Sequence, residues 1–188
     1  LIRGSTIAEV GPTRDLIKRN PDSTIMDARG AIVAPGFIDL HIHGSAGSDT
    51  MDATPLALSR MAQYASAHGV TGFLPTVMSC PIHQMLAATR NAAQAAEAVQ
   101  AGQATQRARQ GAQVLGVNVE GPFLSPDFKG AQPEEGLARP DQAILDQILQ
   151  AGNGHVRIMT VAPELPGAVP IVEALASCGV VPSIGHSG

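Results

Sequence analysis

With 188 residues, 44% of them apolar, the chain can bury a core of single-domain size. Its net charge of -4, from 12 basic and 16 acidic residues with no basic run, excludes the electrostatic footprint of a nucleic-acid binder. No apolar stretch reaches the roughly 18 to 20 residues that cross a bilayer and no charged segment precedes an apolar one as in a secretory leader, so a cytoplasmic protein without membrane attachment is expected.

The chain starts at Leu1 rather than Met, inside an alternating pattern, LIRGSTIAEVGP, and an upstream segment is expected. Residues 1–33 are short half-polar stretches broken by Gly, Pro and Asn, the texture of part of a small β-rich domain whose partner strands lie outside the chain. From residue 34 onward, apolar runs alternate with helical periodicities. The first run is AIVAPGFIDLHIH (31–43). A helix follows with Thr54 as N-cap and Pro55 at its first position, Leu58, Met61, Ala62 and Ala65 at helical spacing, and a stop at Gly69. Next come GFLPTVM (72–78), an Ala-rich helix over about 81–102, and VLGVNV (114–119). A third helix uses Ile144, Leu145, Ile148 and Leu149 as its apolar face and ends at Gly152. VRIMTVA (156–162), a fourth helix over about 169–178 and VVPSI (180–184) complete the series.

Five βα units with near-continuous apolar strands predict a parallel sheet covered by helices. A doubly wound sheet can also use five strands, but chemistry gathered at the C-terminal ends of several strands is what a (β/α)8 barrel supplies. The expected class is therefore α/β, with residues 34–188 forming about the first five units of such a barrel. Three strands are lacking, and two open edges on an apolar parallel sheet would be an aggregation hazard. Cys80 and Cys178 are too few and too distant for a disulfide framework and read as small buried hydrophobes in a reducing compartment.

Asp39-Leu40-His41-Ile42-His43 sets two imidazoles at i and i+2 near a strand end, and the period of two sends both to one face. Neutral imidazoles in that arrangement suit a divalent metal; a buried hydrogen-bonded pair is the alternative. Glu120 ends the third strand after apolar residues, and a buried carboxylate must be paired or bind a metal. The fifth strand delivers His186 in the same way. His41, His43, Glu120 and His186 are thus a convergent candidate ligand set. His68, His83 and His155 lack such a setting and read as solvated or locally satisfied. The Gly- and Pro-rich stretch after Glu120 is too long for a simple connection. Its Gly130, Ala131 and Gln132 could present polar groups to a substrate, whereas Lys129 and Arg139 read as ordinary surface charges.

Taken together, PGFIDLHIHG, FLPT, GVNVEGPF, KGAQP, MTVAPE and IGHS, in this order, resemble the N-acetylglucosamine-6-phosphate deacetylases of the amidohydrolase superfamily, and the chain resembles their N-terminal half. The resemblance implies a (β/α)8 barrel, with residues 1–33 part of a small β-sandwich domain built from both chain ends, in a homodimer. It implies that water activated by a divalent metal attacks the acetamide of the sugar phosphate, giving glucosamine 6-phosphate and acetate in amino sugar catabolism. Glu120 and His186 would bind the main ion, with a histidine from the next strand. His41 and His43 match positions that bind a second ion in members having this pair. One or two ions per subunit are implied; zinc is expected, and iron, manganese and cobalt suit the same donors. Ala131 and Gln132 match sugar-contacting positions, although some relatives carry His in place of this Gln. The aspartate that protonates the departing nitrogen sits on the last barrel strand in the family. No residue here matches it, so no catalytic residue is assigned and the 188 residues alone are expected to be inactive. The rival readings are a dihydroorotase-like or aminoacylase-like amidohydrolase and a non-catalytic barrel scaffold.

Overall fold

A computed structural model describes residues 1–102 and 111–188, which divide into the units Leu1–Gly36 and Phe37–Gly188. In the first, two-residue strands β1 (Ile2–Arg3) and β2 (Thr6–Ile7) pair antiparallel. A helix that the half-polar texture did not announce follows, α1 (Thr13–Arg19), with no buried side chain. Asp15 in its first turn and Lys18 and Arg19 in its last complement the helix dipole, and Arg19 pairs with Glu9. The apolar run expected to start a strand at residue 31 does so only at Phe37.

The second unit contains β3 (Phe37–Ile42), a small hairpin of β4 (Gly44–Ser45) and β5 (Ser48–Asp49), α2 (Pro55–Ala67) and β6 (Val70–Val77). It continues through α3 (Ile82–Gln100), β7 (Gln113–Val114), β8 (Val117–Glu120), α4 (Gln142–Gly152), β9 (Val156–Val161), α5 (Ala168–Ser177) and β10 (Val181–Ile184). Local chemistry sets the helix ends. Thr54 caps α2 by accepting from the Ala57 N–H at 3.2 Å, and Asp141 caps α4 by accepting from Ile144 at 3.0 Å. After Gly152, Asn153 takes up a left-handed conformation with φ 43°, one that Asn tolerates at helix ends.

The main sheet runs β3-β6-β8-β9-β10, every pair parallel, with short β7 beside β6. Each strand is laid next to its predecessor, with no reversal of order. A doubly wound sheet would reverse at a switch point; this one winds in a single direction, as a partial barrel does. The single strand expected over 114–119 is divided in two. Gly116, at φ 153°, turns out of the ladder where a Cβ would collide with Arg157 and the His155 carbonyl, so only glycine permits the approach.

Strand alternation then separates core from site. Val117 and Val119 lie in the apolar core with Phe73, Val77, Met159 and Val161, packed on Met61, Met85, Leu145, Ile148 and Leu175 of the helices. Each such fully buried side chain contributes about 1.5–3 kcal/mol. Asn118 and Glu120 point the other way, and the register pairs Asn118 with Thr76 and Glu120 with Thr160. The edge strands expose apolar residues, among them Phe37 at 70% and Ile184 at 75%. No helix among the described residues is long and apolar enough to cross a membrane.

Candidate metal centre

Three elements bring the site together at the C-terminal ends of the parallel strands. In β3 the register slips between Asp39 and Ile42. The His41 N–H leaves the ladder and is satisfied by Asp39 Oδ1 at 3.0 Å, a bulge of the kind that re-aims side chains beside functional sites. Ile42 N donates to Thr76 Oγ1 at 2.9 Å, fixing β3 against β6. His41 and His43 emerge on one side with their Nε2 atoms 3.3 Å apart and rings edge-to-face. Glu120 closes β8, buried to 7% exposure. His186 lies two residues beyond β10 in a left-handed conformation, φ 52°.

All four candidate ligands meet. Glu120 Oε1 lies 2.9 Å from His186 Nε2 and 3.6 Å from His41 Nε2, and Oε2 lies 3.0 Å from His43 Nε2. One donor atom from each of His41, His43 and Glu120 falls within 4.8 Å of the others; His186 joins through its contact with Glu120. Hydrogen bonding on the far side of the rings decides what faces the carboxylate. His43 Nδ1 lies 3.2 Å from the Thr76 carbonyl and His186 Nδ1 3.1 Å from the Phe128 carbonyl. A carbonyl only accepts, so each Nδ1 carries hydrogen, and a neutral imidazole has only one. Two Nε2 lone pairs therefore confront a carboxylate. That arrangement is repulsive unless protons or a cation lie between, and the tethering of Nδ1 to an acceptor is the usual support of a metal-binding histidine. The donor set of imidazoles and a carboxylate therefore fits a divalent cation.

In the absence of a cation, the same geometry binds protons. The Glu120 hydrogen bond and charge raise the His43 pKa, against the opposing effect of burial. Burial pushes the Glu120 carboxyl upward, but hydrogen bonds from His43 and His186 and the nearby His41 outweigh it and bring it to about 2.

The segment after Glu120 folds across the strand ends instead of hanging free. It contains two short 3-10 turns, Pro126–Phe128 and Glu134–Gly136. Its backbone is pinned where Ala162 N donates to Phe123 O, Ser125 N to His186 O and Ala138 N to Pro122 O. Gln132 is buried at 4% exposure, and its Nε2 donates to Glu120 Oε2 at 2.7 Å; Ala131 beside it is exposed. Lys129 Nζ donates to the Gln132 carbonyl at 3.2 Å. Arg139 lines a cavity of about 540 Å3 with Leu124, Leu137, Pro140 and Leu165. Beside His43, the β4–β5 hairpin, Asp49 and Asp52 border a second recess of about 550 Å3.

Sequence reasoning missed several contributors. Thr76, Ser79 and Asn118 are buried polar residues at these strand ends, and only Asn118 carried a signal, sharing Glu120's face by alternation. Glu164, in the MTVAPE motif, accepts from Ser187 Oγ at 2.7 Å and Gly188 N at 2.9 Å, holding the turn that carries His186. Two side chains depart from expectation. His155 is not solvated or satisfied but 7% exposed with Nδ1 unpartnered, its backbone held between Gly152 O and Val117 N. Cys178 is exposed while Cys80 is buried, since Cys178 caps the solvent end of α5.

Parallel strands wound in one direction, with imidazoles and a carboxylate gathered at their C-terminal ends, are the arrangement in which (β/α)8 enzymes build their active sites. The Amidohydrolase family profile matches residues 32–178, and the chain belongs to this family. It is 34% identical over 164 residues to the N-acetylgalactosamine-6-phosphate deacetylase of Escherichia coli O157:H7, covering 87% of this chain and 41% of that protein. It is 38% identical over 170 residues to the N-acetylglucosamine-6-phosphate deacetylase of Homo sapiens, covering 86% and 38%. Among solved structures, a variant N-acetyl-D-glucosamine-6-phosphate deacetylase from Mycobacterium smegmatis, in complex with N-acetyl-D-glucosamine 6-phosphate, matches with a TM-score of 0.70. Its identity is 31%, over 81% of this chain and 37% of that one. The chain spans about two fifths of the length of the curated relatives it matches.

Proposed function

We propose that this chain supplies the metal-binding half of an amide hydrolase that converts N-acetylglucosamine 6-phosphate to glucosamine 6-phosphate and acetate in amino sugar catabolism. The observation that carries this reading is the confrontation of the Glu120 carboxylate with the Nε2 atoms of His43 and His186 at 3.0 and 2.9 Å, each ring oriented by a backbone carbonyl. His41, His43, Glu120 and His186 hold one or two divalent ions, zinc being the ion expected. A divalent ion held there would lower the pKa of water from about 15.7 to about 7 and polarise the amide oxygen.

The chain's own residues do the rest of what this half contributes. Thr76 and Phe128 fix the tautomers of His43 and His186 through their carbonyls. The folded-over loop shields the carboxylate from bulk water and carries Ala131 and Gln132, which contact the sugar. The proton needed by the departing nitrogen is assigned to no residue of this chain. Residues 1–33 contribute to a small β-sandwich, and the full-length protein acts as a cytoplasmic homodimer on a free sugar phosphate.

A second reading has a specific support: the E. coli relative named above is an N-acetylgalactosamine-6-phosphate deacetylase, so the C4 epimer is the alternative substrate. The test is acetate release by the full-length protein from both epimers, before and after chelation with metal restored. Faster turnover of the glucosamine epimer, abolished by chelation and regained with zinc, is expected. Preference for the galactosamine epimer would transfer the assignment to the second reading, and activity indifferent to chelation would overturn both.

A further inference from the structure

Ser79, two residues beyond β6, is fully buried at 0% exposure and touches the ligand Glu120 by two routes. Its main-chain N–H donates to Gln132 Oε1 at 2.8 Å. An N–H can only donate, so the amide oxygen must face Ser79 and the amide nitrogen must be the atom that faces Glu120 Oε2 at 2.7 Å. The Gln132 side chain is thereby committed in orientation. By the second route, Ser79 Oγ donates to the main-chain carbonyl of Glu120 at 3.0 Å. One buried residue thus grips both the backbone and, through Gln132, the carboxylate of the candidate ligand.

The surrounding chain leaves no slack. A Cβ on Gly121 would strike Ser79 Oγ, and one on Gly136 would lie 2.5 Å from the Ser79 carbonyl carbon. The loop after β8 is therefore seated directly on the Ser79 backbone, and this seating delivers Gln132 between Ser79 and Glu120. A glutamate side chain loses up to about 2 kcal/mol of rotamer freedom when fixed. Fixing it before the ion arrives removes that cost from binding.

We infer that Ser79 and Gln132 are positioning residues, which hold the Glu120 carboxylate in the orientation that receives a divalent cation; the inference rests on the metal-site reading above. It gives the Gln132 side chain a task separate from the sugar, with one N–H left for a substrate.

The test uses the full-length protein, with zinc alone as the probe. Zinc affinity is measured by competition with a chromophoric chelator for wild type, Ser79→Ala and Gln132→Met, together with the melting temperature of each metal-free protein. Ser79→Ala keeps the N–H and removes only the Oγ link; Gln132→Met keeps the volume and removes the amide. Partners of this kind are typically worth about 10- to 100-fold in metal affinity. A loss of that size in Gln132→Met and a smaller loss in Ser79→Ala are expected, with a lowered metal-free melting temperature in Gln132→Met, which leaves the buried Ser79 N–H without its acceptor. Unchanged zinc affinity in both variants would overturn the positioning role, whether or not the melting temperature falls. A Gln132→Met variant that only raises KM for the sugar phosphate would also overturn it, leaving a substrate contact. Wild-type protein that binds no divalent metal would overturn this inference and the functional reading together.

Discussion

Glu120→Gln preserves volume and removes the single formal charge on which three Nε2 atoms converge, at 2.9, 3.0 and 3.6 Å. The metal-free fold should tolerate the change. An amide N–H can donate to a neutral imidazole Nε2, so no charge is left buried and unpaired. The ion has no such recourse. Loss of a direct carboxylate ligand should exceed the 10- to 100-fold that outer partners cost, so affinity falls by more than about 100-fold, or about 2.8 kcal/mol. Linkage makes this visible in stability. At zinc one hundred times the wild-type Kd, wild type gains about 2.7 kcal/mol, whereas a variant binding one hundredfold more weakly gains about 0.4 kcal/mol at the same concentration. Calorimetric unfolding of full-length wild type and variant, with and without zinc, reads the difference directly. An equal zinc-induced shift in both proteins would refute ligation by Glu120. A variant destabilised by about 3–5 kcal/mol without metal would instead identify a structural ion pair.

Gly136→Ala puts a methyl 2.5 Å from Ser79 C and 2.6 Å from Cys80 Cα; main-chain atoms cannot step aside, so a loss of about 1–3 kcal/mol is expected in denaturant titration, and a neutral result would mean the loop seats differently. Thr54→Ala removes the N-cap of α2 and should cost about 1 kcal/mol in the same titration. Hydrogen bonds from Gly188 N and Ser187 Oγ hold the Glu164 carboxyl below its ordinary value of 4.5. A depressed folded pKa means that the stabilisation is complete above the ordinary value and is lost as pH falls through the folded one. Glu164→Gln should therefore flatten the acid limb of stability below about pH 4.5, and parallel limbs for the two proteins would contradict the assignment.

Much of the second unit was legible because its signals are local. Thr54-Pro55 announced the start of α2, and Gly152 marked the end of α4. The apolar runs around Phe73, Val117 and Met159 marked strands that must be buried on both faces. The candidate ligands were legible for a related reason: His41 and His43 follow the strand period, and Glu120 and His186 sit where apolar runs stop. What escaped depends on longer range or weaker patterns. Helix α1 buries nothing, so no apolar stripe betrays it. The break at Gly116 depends on the approach of Arg157, 41 positions along the chain. The bond between Ser79 and Gln132 spans 53 positions, and nothing in either neighbourhood says that they meet. Gln132 was read as a substrate-contacting residue from its loop and from the family resemblance, and only the seating of that loop on Ser79 reveals its grip on Glu120.

In the proposed reading Glu120 and His186, with His41 and His43, surround a cation. Anomalous diffraction from crystals of the full-length protein, recorded across the zinc edge, tests it most directly. A peak about 2.0–2.2 Å from a Glu120 carboxylate oxygen and from His186 Nε2 is expected. A peak only at sites remote from these residues, or a well-ordered site holding no metal after zinc is supplied, would contradict it.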